Sequence, residues 1–248
     1  MKKFGLIGYP LGHSFSRNYF NNKFLEEAIT DCTYSNFEIK SIDAITAILK
    51  DKELLGLNVT IPYKQAVIPF LHNLDEVVKI TGACNCVHIA EQKLSGFNTD
   101  VTGFEKSLME KWRPEDCRAI ILGTGGSSKA VAYVLSKQGI EYLFVSRKPD
   151  GSPNCIKYED LTEKLISEHS LIINCTPLGM HPEIDAFPPF PYRFLTREHY
   201  LFDLIYNPPK TLFLKKGEAA GARTKNGADM LKIQAEASWD IWNSGSGR

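Results

Sequence analysis

The stretch AIILGTGGSSKAVAYVL, residues 119–135, constrains this chain more than any other. RAIIL reads as a strand buried on both faces, because its apolar residues run without alternation. KAVAYVLSKQG reads as a helix. Between them lie Gly123, Thr124, Gly125, Gly126, Ser127 and Ser128. A glycine turn there lets a ligand approach the backbone, and the unpaired amides of the helix N-terminus face it as an anion site. A strand, a glycine turn and a helix in that order are the setting of a dinucleotide-binding loop. Ser128 stands where a third glycine is usual, and Ala130 is the small residue available for helix–strand packing. No Gly-Lys-Ser/Thr ends the loop, so it is not a P-loop.

The next strand bears on the choice of dinucleotide. NAD sites place an acid about 20 residues after the first glycine, to hold the ribose hydroxyls. Here the strand ends VSRKPDG: Ser146, Arg147 and Lys148 come first, with no carboxylate before Asp150. Two cations and a hydroxyl suit a 2'-phosphate, which favours NADP. Ligands in such sheets sit beyond the carboxyl ends of the strands. LIINCTPLGM and LFDLIYNPP both end strands in Pro-punctuated loops, making Asn174, Thr176, Met180, Leu204 and Tyr206 candidates to border the nicotinamide.

The same alternation runs along the rest of the chain. KKFGLIG, TYSNFEI and LLGLNVT read as strands, with helices at RNYFNNKFLEEAI and IDAITAILK. CVHIA and KLSGF read as a short antiparallel excursion, and VTGFEKSLMEKW as a helix connecting two units. Later strands are expected at LIIN and YLFDLI, and amphipathic helices at TLFLKKGEAAG and ADMLKIQAEASWDIW, before a frayed NSGSGR tail. This is the pattern of an α/β protein. Lys+Arg and Asp+Glu are both 29, so no global field draws a polyanion and nucleic acid is not an expected partner. No apolar run approaches the roughly 18 residues of a membrane span. The six cysteines form no CxxC pair, as expected of reduced thiols in the cytoplasm. Glycosylation does not occur there, which removes Asn58-Val59-Thr60 and Asn174-Cys175-Thr176 as acceptors. No metal site is expected.

Three further segments carry chemistry. In GYPLGHSFSRNYFN, Ser14 and Ser16 precede a helix, where hydroxyls either cap it or hold a carboxylate; His13 reads as a packed loop histidine. In LNVTIPYKQ, Asn58 reads as scaffold and Lys64 falls where a helix would begin. A cation is disfavoured there, which calls for a compensating carboxylate. Asp100, after a capping Thr99 in GFNTDVTGF, is an acid that a helix start favours. Spacing alone does not bring the two together.

As a set, these motifs resemble shikimate dehydrogenases over nearly the whole chain. GYPLGHSFSRNYFN resembles the family's substrate signature, implying that Ser14 and Ser16 contact a substrate carboxylate. NVTIPYK resembles its catalytic signature, implying roles for Thr60 and Lys64, and NTDVTGF supplies the matching acid, Asp100. GACNCV implies Asn85 as a substrate ligand. GTGGSSKA and VSRK match the cofactor loop and the Asn-Arg-Thr phosphate clamp. NCTPLGM, DLIYNPP and NGADMLKIQAEASWDIW implicate Thr176, Leu204, Tyr206, Gly227 and Gln234, with Tyr206 and Gln234 toward the substrate; Glu76 falls near the nicotinamide end. Several positions depart from the pattern: Arg17 for a proline, Cys86 for a threonine, Ser146 for the clamp's asparagine, and NGADML for Asn-Gly-Leu-Gly-Met-Leu.

The resemblance implies two α/β domains with a cleft between them. Residues 1–100 and 228–248 would form a substrate domain with a mainly parallel sheet, and 101–227 a Rossmann-like NADP domain. The implied reaction is reversible reduction of 3-dehydroshikimate to shikimate with NADPH, in aromatic amino-acid biosynthesis, by a monomer or homodimer. Lys64 and Asp100 would act as a pair, so neither is the sole acid. The alternatives are a quinate/shikimate dehydrogenase that prefers NAD and a non-catalytic ligand sensor. The retained Lys64 and Asp100 speak against the sensor.

Overall fold

The computed structural model describes residues 1–12, 14–149 and 151–244; His13, Asp150 and the end of the tail lie outside them. The chain divides into two compact units, Met1–Thr102 with Leu231–Arg248, and Gly103–Met230.

The first unit runs β1 (Lys2–Gly8), α1 (Phe15–Glu26), β2 (Cys32–Glu38), α2 (Ile45–Ile48), β3 (Leu54–Val59), β4 (Asn73–Leu74), α3 (Glu76–Thr81), β5 (Cys86–Ala90), β6 (Lys93–Phe97) and the start of α4 (Thr99–Met109). Its sheet has the order β2-β1-β3-β5-β6-β4. Strand β1 pairs in parallel with β2 and β3, and β5 and β6 form the antiparallel excursion. Both faces are covered, which explains the unbroken apolar runs. Ile7, Leu57 and Val59 pack on one face with Ile45, Tyr63, Val67 and Val78. Phe4 and Leu6 pack on the other with Phe20, Tyr34, Ala235 and Trp242.

The second unit runs from α4 through β7 (Arg118–Leu122), α5 (Gly126–Lys137), β8 (Glu141–Val145), β9 (Cys155–Ile156), α6 (Glu163–Ser167), β10 (Leu171–Asn174), β11 (Tyr200–Asp203), α7 (Leu212–Ala219) and β12 (Arg223–Lys225) into α8 (Ala228–Asn243). Its sheet order is β12-β11-β10-β7-β8-β9, with every pairing parallel. Counted within the unit this is 3-2-1-4-5-6, the doubly wound order of dinucleotide-binding sheets. The order reverses between β7 and β10, so the loops after those two strands flank the switch point where such sheets bind ligands.

Three expectations need correction. IDAITAILK forms a 3₁₀ turn at Ile42–Ala44 and the single turn of α2, not a full helix. The helix expected to begin at Lys64 is absent: residues 64–67 form turns that lead into a 3₁₀ turn, Ile68–Phe70. Pro69 within that turn has no amide to donate, so an α-helix cannot propagate through it. Finally, α4 begins at Thr99 itself, one residue before its reading as a cap allows. Among the described residues, no helix is long and apolar enough to cross a membrane.

Helix α8 closes one face of the first sheet. Trp242 is 4% exposed, stacks on Phe4 at 4.9 Å and 22°, and donates its indole N–H to the Val87 carbonyl at 3.0 Å. It lies against Gly56, where any Cβ would collide with the indole. Trp242→Ala is therefore expected to cost about 3–5 kcal/mol of stability, read from urea unfolding; a loss below about 1 kcal/mol would show that the helix does not depend on this anchor.

Candidate active site and cofactor loop

In the first unit the candidate residues converge at the ends of β3 and β5. The turn after β3 is fixed by Tyr63 N–H donating to the Thr60 carbonyl at 2.8 Å, and Cys84 N–H donating to the Lys64 carbonyl at 2.8 Å. This pins the Lys64 backbone beside β5, and its ammonium donates to Asp100 Oδ2 at 2.5 Å. Both side chains are largely buried, at 14% and 10% exposure. The carboxylate that the lysine calls for is therefore present, although no helix N-terminus makes the demand. Asp100 sits in the first turn of α4, where the aligned peptide dipoles favour an acid.

Asn85 holds this pair in place. Its amide oxygen accepts from Thr99 N–H at 2.7 Å. Its NH2 group donates to Asp100 Oδ1 at 2.9 Å, Thr99 Oγ1 at 3.0 Å and Gln234 Oε1 at 3.3 Å. The network continues through the core: Thr99 Oγ1 lies 3.1 Å from Ser238 Oγ, and Ser238 accepts from Asn58 Nδ2 at 3.0 Å. Asn58 in turn accepts from Tyr34 Oη at 2.8 Å. Burial holds the Tyr34 phenol pKa well above its usual value. Asn58, Asn85, Thr99, Asp100 and Gln234 are all buried, and satisfied networks of this kind rigidify a site. Ser14 caps α1, accepting from Arg17 N–H at 3.3 Å, and Arg17 is exposed. Thr60 is half-buried at the end of β3. Glu76 stands apart in the first turn of α3, 74% exposed and 3.5 Å from Lys79.

In the second unit, Gly123 has φ +100°, a conformation that favours glycine. A Cβ there would stand 3.1 Å from Thr176 Cγ2, so the loop after β10 abuts the loop after β7. Gly125 caps α5 without a side-chain hydrogen bond, and a Cβ on it would meet nothing within 4 Å. An uncapped N-terminus above open space fits a pyrophosphate. Ser128 is buried and donates to the Gly125 carbonyl at 2.6 Å, which shows how a serine serves where a third glycine is usual. Ala130 is fully buried beneath the loop. At the end of β8, the Ser146 hydroxyl closes a turn with the backbone of Lys148, while Arg147 and Lys148 are exposed.

Among the strand-end loops, Thr176, Leu204 and Tyr206 are half-buried and Met180 is 42% exposed. Asn174 does not border a ligand: it is fully buried and its amide is engaged by Asp203 and Thr176. Gly227 donates its N–H to the Ile205 carbonyl at 3.1 Å, and a Cβ there would collide with the Leu204 carbonyl.

The shikimate dehydrogenase substrate binding domain family matches residues 6–87. A shikimate dehydrogenase (NADP(+)) of Desulforamulus reducens is 36% identical to this chain, covering 96% of it and 88% of that protein. The chain belongs to the shikimate dehydrogenase family. Among solved structures, shikimate dehydrogenase 1 from Peptoclostridium difficile is similar with TM-score 0.86 and 33% identity, covering 100% of this chain and 94% of that one. Shikimate 5-dehydrogenase from Thermus thermophilus, in complex with NADP(H) and shikimate, is similar with TM-score 0.86 and 28% identity, covering 98% and 94%.

The part played by Tyr34, Ser238 and Asp203 does not follow from the motifs of the sequence. Ser238 had a readable signal, since Gln234, Ser238 and Trp242 recur every four residues and so share one face of α8. Asp203 is fully buried at the end of β11. Burial pushes its carboxyl up to about 6, against hydrogen bonds from Thr211, Ile205 and Asn174 that favour the anion. A folded pKa above the unfolded value of 3.8 gives stability that is full below the unfolded pKa and is lost as pH rises through the folded one. Relative to Asp203→Asn, the wild type is expected to lose about 1 kcal/mol of unfolding free energy between about pH 5 and about pH 7; a pH-independent difference in urea unfolding would refute this assignment.

Proposed function

We propose that the protein catalyses the reversible NADPH-dependent reduction of 3-dehydroshikimate to shikimate. The observation that carries this reading is the Lys64–Asp100 pair at 2.5 Å, oriented by Asn85 at 2.9 Å inside a buried network. NADPH, when bound, supplies the hydride to the ring carbonyl carbon. Lys64 polarises the carbonyl oxygen and protonates it as the alkoxide develops. Asp100 orients the reacting hydroxyl and shares the proton with Lys64, so that the pair gives it up in reduction and takes it back in oxidation. Asn85 and Gln234 hold ring hydroxyls, Ser14 and Ser16 the substrate carboxylate, and Thr60 and Tyr206 further contacts to the substrate.

On the cofactor side, the start of α5 at Gly125, Gly126 and Ser127, which has no side-chain cap at Gly125, suits a pyrophosphate, with Gly123 and Thr124 shaping the turn. Arg147 and Lys148, beside Ser146, suit a 2'-phosphate and stand where an NAD site would carry an acid. Glu76, Thr176, Leu204 and Gly227 are assigned to the nicotinamide end by position in the family. The reading places the enzyme in the cytoplasm as a monomer or homodimer; its six cysteines are all free, in keeping with a reducing compartment.

Lys64→Ala is expected to lower kcat about 10²–10⁴-fold while shikimate still binds; near-normal turnover in steady-state assays would remove the lysine from the chemistry. Arg147→Ala is expected to raise KM for NADPH about tenfold or more, with little effect on KM for NADH, because a charge-assisted contact to phosphate is lost. Equal effects on both cofactors would place Arg147 outside the 2'-phosphate site.

A further inference from the structure

Asp203 is a buried carboxylate to which the reading above gives no task. Among the described residues it makes no ion pair, and three donors from three segments converge on it. Asn174 Nδ2 donates to Oδ1 at 3.0 Å from the end of β10. Ile205 N–H donates to Oδ1 at 3.0 Å from the loop after β11. Thr211 Oγ1, the cap of α7, donates to Oδ2 at 2.5 Å. A carboxylate suits this junction because it only accepts, with lone pairs enough for all three.

What these donors support makes the junction functional. Asn174 Oδ1 accepts from Thr176 N–H at 3.0 Å and from Thr176 Oγ1 at 2.6 Å, and Thr176 Oγ1 accepts from Leu178 N–H at 3.3 Å. Thr176 lies directly against Gly123 of the phosphate loop. On the other side, Ile205 N–H is held by Asp203 while the Ile205 carbonyl accepts from Gly227. Asp203 thus links the backbone around Thr176, Leu204, Tyr206 and Gly227, and through Thr176 reaches the glycine turn. A buried charge without a counter-ion is costly to keep; here three converging hydrogen bonds offset that cost, and a hydrophobic residue would leave all three donors without an acceptor.

We propose that Asp203 is the positioning residue of the cofactor site, holding the loops after β10 and β11 in register with the phosphate loop. This rests on the reading of the second unit as an NADP-binding domain. It concerns how the site is held open and shaped, and gives Asp203 no contact with the cofactor.

The test is NADPH affinity, measured by nicotinamide fluorescence on Asp203→Ala, Asp203→Asn and Asn174→Ala, with thermal unfolding of each alongside. Asp203→Ala is expected to raise Kd for NADPH about tenfold or more, since three donors lose their acceptor. Asp203→Asn keeps the size of the side chain and can turn its NH2 toward the Thr211 hydroxyl, which can accept. It is expected to recover most of the affinity, to within about threefold of wild type. Asn174→Ala cuts the path to Thr176 while leaving Asp203 two donors, and is expected to fall between the two. It reports on the proposal even where Asp203→Ala does not fold. Lowered melting temperature with unchanged Kd in the variants that fold would overturn the proposal and leave Asp203 a stabilising residue only. Failure of the wild type to bind NADPH would instead overturn the reading of the domain.

Discussion

One amide, that of Asn85, sets the geometry on which the first unit's chemistry depends. Its oxygen takes the N–H of Thr99 and so fixes where α4 starts. Its nitrogen takes Asp100, and so fixes which way the acid faces. Lys64 then meets a carboxylate whose second oxygen is already spoken for, leaving one direction of approach. Removing the amide would strand a helix-terminal donor and a buried acceptor together, a larger loss than the sum of two ordinary contacts implies. The surrounding hydroxyls of Thr99, Ser238 and Tyr34 extend this order to β2. Parts of the site that lie far apart in sequence are held by a continuous polar seam in an otherwise apolar interior.

The second unit solves a different problem. A parallel sheet delivers strand ends side by side but leaves the loops beyond them without regular partners. At the switch point between β7 and β10, those loops must hold a shape in the absence of any ladder. Glycine at Gly123 lets the chain turn where a side chain would be strained, and a buried carboxylate gathers the polar groups that the ends of β10 and β11 leave over. The start of α5 has no side-chain cap at Gly125, while the loops beside it are supported by side chains.

Most of the architecture was legible because it rests on periodic burial. Unbroken runs such as LLGLNV and RAIIL have few alternatives to strands covered on both faces, and the glycine loop marked the boundary between β7 and α5. Short elements were not legible: β12 is the three residues Arg223–Lys225, polar in sequence and recruited by its neighbour rather than by any pattern of its own. The helix expected at Lys64 shows the converse. It is expected from the strand-to-turn boundary at Lys64, but Pro69 and the backbone bond from Cys84 favour a pinned turn. Lys64 and Asp100 were each readable as unusual residues, yet their meeting depends on the crossover from β3 through β5, β6 and α4, which no local signal encodes. Asn174 was legible as a residue at a strand end, but not as one turned inward.

The last helix has a consequence for how the protein is made. Gln234, Ser238 and Trp242 complete the polar seam and the aromatic wall of the first unit, yet they leave the ribosome after the whole of the second. Domains generally fold in order of synthesis, but here the first to be translated is the last to be finished. Until α8 arrives, Phe4, Phe20 and Tyr34 lack their covering partner and Asn58 lacks the hydroxyl of Ser238. The nascent chain therefore carries an exposed aromatic face throughout synthesis of the second unit. The step that buries this face joins residues at opposite ends of the chain, the kind of distant closure that slows folding. A cell making this enzyme quickly must keep that face from other chains.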